Sequence, residues 1–327
     1  MSSTTNIPLL TQVMNQVEGN LVVITDCEPD DYMALLAILK LVRKTGRDLV
    51  IIVSAWREQQ PKAARLQTFL NREFFDLKNR IFIRLGEPSH TNYDMALTPE
   101  EIAIEPFPQY TQFDLVGNII FQLTHPVEIF KIFREQSEFF QNSYLFTYGS
   151  FNYRVPLQRY DMTTQDIRDL FTSFKFVFYY EAFPASDPTM MEYDDLTELM
   201  RRNYPDIVAH IEWWNQRIYK EIQRDLPKLT NPSAIERFKK IASSIERYPL
   251  QFVDADCGML ATILTPQTEY VTAELTLSKD DYPTFTSIRE NCSTPRRGEV
   301  CYLKTADKAR IHHEHHEFYI KLLAADT

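Results

Sequence analysis

Four acidic side chains fall within six residues, between a hydrophobic strand-like run and an apolar helix-like run. The stretch LVVITDCEPDDYMALLAIL, residues 21–39, carries Asp26, Glu28, Asp30 and Asp31. Carboxylates this close repel one another, and a helix N-terminus offsets only about 0.3–1 kcal/mol for each well-placed acid. A hard cation offsets more, and Ca²⁺ and Mg²⁺ select carboxylate oxygens. The spacing predicts a metal site for Ca²⁺, with Mg²⁺ as second choice; helix capping, which needs one or two acids, is the alternative.

The residues around the acids predict the elements that hold them. Residues 21–24 form a continuous apolar run, as expected of a central parallel strand that is covered on both faces. Buried-strand patterns recur at 48–55 and 81–85, with a helix pattern at 61–75 between them. Such a βαβαβ start implies a parallel sheet. The acids then lie at the carboxyl end of a strand, which is where open α/β sheets bind ligands.

The acidic turn resembles the signature of the nucleoside hydrolase superfamily, of the inosine-uridine-preferring type. That signature reads Asp-x-Asp-Pro-Gly-x-Asp-Asp after the first strand. Without a gap, Asp26 aligns with the second Asp, and Asp30 and Asp31 align with the terminal pair. The resemblance implies an α/β fold with an open, mostly parallel sheet flanked by helices and a Rossmann-like core. The length and the lack of a linker favour one domain over residues 1–327.

The chain departs from this signature at three positions. Ile24 stands where the first Asp would be, and Cys27 and Glu28 replace Pro and Gly. The chain is therefore identified as a divergent member of the superfamily.

A second acidic turn, QFVDADCGMLATILTP at residues 251–266, resembles the superfamily motif His-Asp-Pro-x-Ala, whose Asp binds the metal from the far side. Asp256 is the implied ligand, and Asp254 is the alternative. Ala255 then occupies the position of the histidine credited with protonating the leaving group. A positioned acid contributes about 10²- to 10⁴-fold in rate, so this departure bears on mechanism.

Other candidate site residues follow later strands. Residues 148–152, Tyr-Gly-Ser-Phe-Asn, resemble the turn Thr-Gly-x-Leu-Thr-Asn, which implies that the Tyr148 carbonyl completes the metal shell. Arg57, His90 and Glu181 stand near places where the superfamily contacts substrate. An ordinary surface arginine, loop histidine and loop acid are the alternatives for these three.

The resemblance implies a metal-dependent N-glycoside hydrolase that cleaves the N-ribosidic bond of a ribonucleoside or related ribosylated small molecule by a metal-bound water. In that scheme Asp26 takes the proton of the water and Asp30 contacts the ribose. Asp26, Asp31, Asp256 and the Tyr148 carbonyl hold the metal. One alternative is a catalytically altered relative that binds metal and a ligand or partner without turnover. Another is a phosphohydrolase of the haloacid dehalogenase type, which requires Asp at the position of Glu28.

Composition bounds the partners. The net charge of −10 and pI of 5.3 disfavour a nucleic-acid polymer as substrate. No window approaches about 18 uninterrupted apolar residues, and the N-terminus does not resemble a signal peptide, so no membrane is expected. Four cysteines without metal-ligand spacing predict reduced thiols and a cytoplasmic protein. A homodimer or homotetramer is expected by family analogy alone.

The tail contains two strand-like runs and a histidine-rich helix. YVTAELTL and RRGEVCYLK resemble a late hairpin of the superfamily. The final segment ARIHHEHHEFYIKLL carries four histidines within five residues. We interpret these histidines as a solvated helix face, with adventitious Zn²⁺ or Ni²⁺ binding by His312 and His316 as the alternative.

Overall fold

The computed structural model describes residues 7–54, 59–86, 118–124, 127–136, 140–148, 164–180, 194–250, 256–266, 270–277, 283–290, 299–303 and 308–324. Arg57, His90, Glu181, Asp254 and Ala255 lie outside these residues. The roles expected of them stay predictions.

One nine-stranded sheet runs through the described part of the chain, in the order β3-β2-β1-β4-β5-β6-β9-β7-β8. All neighbouring pairs from β3 to β9 are parallel, and β7 pairs antiparallel with both β9 and β8. The predicted α/β class with an open, mostly parallel sheet is confirmed. The strands are β1 (Leu21–Thr25), β2 (Leu49–Val53), β3 (Ile81–Leu85), β4 (Ile119–Gln122), β5 (Tyr144–Tyr148), β6 (Phe176–Tyr180), β7 (Tyr270–Leu277), β8 (Pro283–Glu290) and β9 (Glu299–Leu303).

Helices pack on both faces of the sheet because the central strands are apolar on both sides. Val23 and Ile51 belong to one buried cluster, whereas Val22 and Val50 belong to another on the opposite face. The helices are α1 (Leu9–Met14), α2 (Pro29–Thr45), α3 (Gln59–Glu73), α4 (Val127–Gln136), α5 (Thr164–Ser173), α6 (Asp194–Asn203), α7 (Pro205–Asp225), α8 (Pro232–Arg247), α9 (Asp256–Leu264) and α10 (Lys308–Ala324). Of these, α4 and α5 contribute to the second cluster, and most of the others pack on the first.

Strand β1 is the point at which the chain reverses its direction across the sheet. The first βαβ units run from β1 to β2 and β3, and the chain then returns to place β4 on the other side of β1. Such a reversal opens a crevice at the carboxyl ends of the strands, where α/β proteins bind ligands. The acidic turn follows β1 at this crevice.

The structure corrects three expectations for the C-terminal part. The strand that forms a hairpin with β7 is β8, which the sequence did not predict, while β9 pairs with β6 as well as β7. Cys301 is disulfide-bonded, so the expectation of four reduced thiols is wrong there; Cys27 and Cys257 are free. The histidine-rich helix is not wholly a solvated face, because His315 is buried and lies 3.0 Å from the Thr262 hydroxyl.

Within the described residues, no helix is both long and apolar enough to cross a bilayer.

Candidate functional site

The turn from β1 into α2 is fixed by side chains of its own acidic sequence. Glu28 is the N-cap of α2, and its backbone N–H donates to Asp31 Oδ2 at 2.8 Å in a reciprocal capping box. The Thr25 hydroxyl donates to Asp31 Oδ1 at 2.7 Å and accepts the N–H of Cys27 at 2.9 Å. Capping thus accounts for two of the four acids, Glu28 and Asp31, and leaves Asp26 and Asp30 to be explained.

Two acids of this turn lie close to a third carboxylate from a distant part of the sequence. Asp30, Asp31 and Asp256 each offer a carboxylate oxygen, and these oxygens lie within 4.8 Å of one another. We call these three residues the candidate metal centre. They converge because α9, which begins at Asp256, packs against α2. All three are buried, and Asp31 is fully inaccessible to solvent.

Without a cation, the buried carboxylates of the candidate metal centre are close enough to disfavour one another's ionisation. Burial, and then the negative charge of Asp26, raise the pKa of Asp30 to about 7. Burial and neighbouring carboxylates also hold the pKa values of Asp31 and Asp256 well above their ordinary range. Like charges taken out of water cannot all ionise at neutral pH unless a positive charge compensates them.

The donor set fits a hard divalent cation. It consists of carboxylate oxygens alone, which Ca²⁺ and Mg²⁺ prefer and which softer metals do not select. Asp256 Oδ1 is buried and has no hydrogen-bond partner among the described residues. Because each carboxylate oxygen can accept more than one interaction, the hydrogen bonds to Asp31 leave it able to coordinate a metal as well.

Asp26, the predicted base, lies beside the candidate metal centre rather than within its group of three. Its carboxyl group contacts that of Asp31, and its charge acts on Asp30 and Asp256. Asp30, expected to contact the ribose, is one of the three grouped carboxylates. The structure thus brings together Asp31 and Asp256, as the sequence predicted, and groups Asp30 with them in place of Asp26. The roles of these residues stay predictions.

Tyr148 is the last residue of β5 and pairs with Tyr180 of β6. It lies at the same carboxyl edge of the sheet as the acidic turn, and α9 packs against β5. Coordination by its carbonyl stays a prediction.

Two buried basic side chains behind the turn were missed by the sequence analysis. Lys62 of α3 is 1% exposed, and its Nζ donates to the Asp26 carbonyl at 2.5 Å. His210 of α7 packs against Tyr32, with 4.3 Å between ring centroids and 36° between the ring planes, and it hydrogen-bonds the backbone of Cys27. Burial and the charges of Arg65 and Lys62 lower the pKa of His210 to about 3, so its ring is neutral near pH 7.

A signal for both residues was present in the periodicity of their helices. Lys62 precedes the buried Leu66 and Phe69 at helical spacing, so it lies on the apolar face of α3. In α7, His210 lies three residues after the buried Ile207 and four before Trp214. A basic residue within an apolar stripe indicates a buried partner, but only the fold shows which one.

Comparisons with known proteins agree with this fold. No protein-family model matches the chain, and no curated protein matches it. Among solved structures, it is similar to a plant nucleoside hydrolase, with a TM-score of 0.56 and 13% identity over 94% of this chain and 99% of that one. A purine-preferring ribonucleoside hydrolase from Gardnerella vaginalis gives a TM-score of 0.52 and 10% identity over 94% and 99% of the two chains.

The type III effector protein XopQ, whose structure contains adenosine diphosphate ribose, gives a TM-score of 0.52 and 11% identity over 99% of both chains. The chain therefore has the nucleoside hydrolase fold, at a sequence divergence that leaves its activity to be argued from its own residues.

Proposed function

We propose that this protein is a metal-dependent N-glycoside hydrolase that cleaves the bond between a ribose and a base or similar leaving group. The observation that carries the proposal is the convergence of Asp30 and Asp31 with Asp256, from two turns far apart in sequence, in a buried group of carboxylates. This group lies at the ligand-binding edge of a nucleoside hydrolase fold. Neither capping nor packing requires a third buried acid there.

The residues of the chain take distinct parts in this reaction. Asp31 and Asp256, with Asp30 within reach, would hold a divalent cation, for which Ca²⁺ is our first choice. When bound, the cation supplies ligand positions for sugar hydroxyls and a positive charge that makes a nearby water a better nucleophile. Asp26 accepts the proton of the attacking water as a C1′–O bond forms and the C1′–N bond breaks.

The leaving group takes up a proton, and the sequence has Ala255 where the resemblance implies a histidine donor. His210 does not replace it, because its low pKa keeps the ring neutral near pH 7. His90, Glu181 and Asp254 remain the candidate donors.

A second candidate function, ligand binding without turnover, is favoured by Ile24. This residue stands at the first Asp of the signature, and it is 1% exposed within a cluster of apolar side chains. The apolar side chain of Ile24, which belongs to the hydrophobic core, therefore stands in place of one acid of the expected set. The XopQ structure contains adenosine diphosphate ribose, so ribosylated nucleotides belong among the ligands to test.

The deciding experiment incubates the purified chain with inosine, uridine, adenosine diphosphate ribose and p-nitrophenyl riboside, in Ca²⁺ and in EDTA. Release of the free base or of nitrophenol in Ca²⁺, abolished by EDTA, supports the hydrolase. We expect Asp26→Asn to lower the rate by about 10²- to 10⁴-fold while the chain stays folded, because the amide cannot accept the proton.

Asp225→Asn serves as the matched control. Asp225 is a surface acid held by Arg224 and Lys228, each at 2.8 Å, so its loss should leave the rate unchanged. Calorimetric binding of a ribosylated ligand without release of any product would favour the second candidate instead. Near wild-type hydrolysis by Asp26→Asn would move the base elsewhere, with Glu28 as the first residue to examine.

A further inference from the structure

The peptide that joins Asp26 to Cys27 is held in an unfavourable orientation. Cys27 has φ 59°, and within the described residues it is the only non-glycine with positive φ. This left-handed region is sterically unfavourable for a residue that has a β-carbon. Rotation of the preceding peptide plane would return the φ of Cys27 to the ordinary range. Something must therefore hold that peptide in place.

Both polar groups of this one peptide are pinned by side chains. Its carbonyl, from Asp26, accepts the hydrogen bond from Lys62 Nζ at 2.5 Å. Its N–H, from Cys27, donates to the Thr25 hydroxyl oxygen at 2.9 Å. A rotation of the peptide plane would break both hydrogen bonds together.

The Thr25 hydroxyl connects this peptide to the candidate metal centre. While its oxygen accepts the Cys27 N–H, the same hydroxyl donates its proton to Asp31 Oδ1 at 2.7 Å. Donation by the peptide N–H fixes the direction of the hydroxyl, and the hydroxyl fixes one oxygen of Asp31. The other oxygen is fixed by the N–H of Glu28, at the next peptide along the same turn.

The hydrogen bond of Lys62 goes to this turn. Its side chain is 1% exposed and its Nζ lies 5.5 Å from the centroid of the Trp214 ring. A buried ammonium group is costly to desolvate unless it is well paired. Here it bonds the backbone next to the acids rather than one of the three carboxylates of the candidate metal centre.

We propose that Lys62 is a positioning residue that orients the Asp31 carboxylate, and with it the candidate metal centre, by pinning the peptide between Asp26 and Cys27. The inference rests on the proposed function for its account of what the centre binds. It concerns the orientation of a ligand through one peptide and one hydroxyl, and Lys62 itself touches neither metal nor substrate. Loss of the ammonium should let the peptide rotate and release Thr25 and Asp31 from their present geometry.

The chain offers a closely matched control in Lys40. Its Nζ also donates to a backbone carbonyl, that of Leu322, and lies 5.6 Å from the centroid of the Tyr204 ring. Lys40→Met therefore removes these kinds of contact as well, in the C-terminal half of α2 and not at the acidic turn where that helix begins. Both variants should melt at lower temperature than the wild type in EDTA.

Two measurements on the full chain separate positioning from general stability. The first is the affinity for Ca²⁺ by titration calorimetry, in which we expect Lys62→Met to weaken binding by about 10- to 100-fold, as for other residues that orient metal ligands. The second is amide hydrogen exchange over residues 24–32 in calcium-free buffer, where Lys62→Met should lose protection. Lys40→Met should change neither.

A second pair of variants tests the same connection should Lys62→Met fail to fold. Thr25→Val removes the hydroxyl and keeps the shape, whereas Thr25→Ser keeps the hydroxyl. We expect Thr25→Val to weaken Ca²⁺ binding and to increase exchange over residues 24–32, and Thr25→Ser to retain both properties. Wild-type affinity and protection in Thr25→Val would overturn the proposal.

The remaining outcomes are also decisive. Lys62→Met with wild-type affinity and wild-type protection, or equal losses in Lys40→Met, would overturn the positioning role while leaving the hydrolase proposal intact. A wild-type chain that binds no divalent cation would defeat the metal-dependent function. In that case, a loss of exchange protection in Lys62→Met but not in Lys40→Met would still support the positioning of the turn by Lys62. Unchanged protection in Lys62→Met would refute it.

Discussion

Asp31 shows why a residue can be a poor choice for testing its own site. It completes the capping box with Glu28 and accepts the Thr25 hydroxyl, so Asp31→Ala would damage the turn even in a protein that binds no metal. Asp256 is a cleaner target, because it takes no part in the capping box. Its Oδ1 has no hydrogen-bond partner within the described residues, and its side chain hydrogen-bonds Asp30 of the same centre.

We therefore predict opposite effects of Asp256→Asn in the two buffers. In EDTA the variant should melt at or above the wild-type temperature, because it removes a buried acid whose pKa is held high by burial and by neighbouring carboxylates. In Ca²⁺ the wild type should be the more stable, since a ligand present at about 100 times its Kd contributes about 2.7 kcal/mol. Melting curves of both proteins in both buffers measure this. A variant that gains as much stability from Ca²⁺ as the wild type would place the ion elsewhere, and Asp225→Asn is the control.

The raised pKa of Asp30 predicts how pH acts on the metal-free protein. Its folded pKa of about 7 lies above the ordinary value of 3.8 for an aspartate, so between these values the folded state holds a proton that the unfolded chain has lost. Stability from this group is therefore present in full below about pH 4 and declines as pH rises towards 7. Melting in EDTA at intervals from pH 4.5 to 7.5 should show this decline, superimposed on the titration of other groups, and Asp30→Asn should reduce it.

Metal binding should show the converse dependence, because the ion competes with these protons. Ca²⁺ affinity should weaken as pH falls below about 7. Calorimetry in buffers of different ionisation enthalpy should detect proton release on binding at pH 6. An affinity that is constant from pH 5.5 to 8, with no proton release, would contradict this account.

At the scale of elements, the turn between β1 and α2 has a backbone conformation at Cys27 that a proline at this position could not adopt. Cys27 has φ 59° and its N–H is hydrogen-bonded. Proline fixes φ near −65° and has no N–H. The replacement of the signature's Pro by Cys is therefore a structural change of the turn and not a neutral substitution.

We predict that Cys27→Pro lowers the melting temperature substantially and abolishes Ca²⁺ binding, although proline is the residue found in the signature. The cost should be about 3 kcal/mol or more, from the lost hydrogen bond and the forced φ. Cys27→Gly is the control, since glycine adopts positive φ freely and keeps the N–H. Chemical unfolding gives the stabilities. A stable, metal-binding Cys27→Pro would show that the turn can follow the other path.

The last helix illustrates how packing overrides composition within one element. In α10, His316 pairs with Asp195 at 3.0 Å and His313 is exposed, whereas His315 is buried and Tyr319 donates to the Cys257 carbonyl. Because only one face of this helix is buried, neighbouring histidines lie in different environments: one in the core, one at the edge of the buried face and one in solvent. Tyr319 thereby holds α9 directly after Asp256.

At the scale of the whole molecule, the fold brings Asp256 beside Asp30 and Asp31 at the carboxyl edge of the sheet. Reversal of the strand order at β1 opens the carboxyl edge of the sheet, and α9 brings Asp256 to that edge beside α2. A sugar bound there would meet these carboxylates at the N-terminal ends of α2 and α9. The proton donor for the leaving group must come from elsewhere.

We accordingly predict that leaving groups which need little protonation react faster. With Ala255 at the histidine position, p-nitrophenyl riboside should exceed inosine in kcat/KM by about 10²- to 10⁴-fold, the usual contribution of a positioned acid. Each tenfold corresponds to about 1.36 kcal/mol of barrier. Initial rates with both substrates measure the ratio. Equal values would mean that another residue donates the proton, and His90→Ala, Glu181→Gln and Asp254→Asn would then be compared.

The sequence by itself determined what depends on neighbouring residues. The apolar run at 21–24 becomes a strand because its residues bury both faces of a parallel sheet, and the acids after this run necessarily lie at its carboxyl end. Pro29 at the start of α2 and Gly46 at its C-cap limit that helix locally. The superfamily signature identified Asp26, Asp30 and Asp31, and the fold comparison confirmed the α/β class.

Tertiary structure alone decided what depends on distant parts of the chain. Strand β4, which the sequence did not predict, is recognisable only by its pairing with β1 and β5. The contact of Asp256 with Asp30 and the bond from Lys62 to the Asp26 carbonyl join residues that no local pattern relates. A local pattern reports which face of an element is buried, whereas the identity of the group it meets is set by how the helices pack across the sheet.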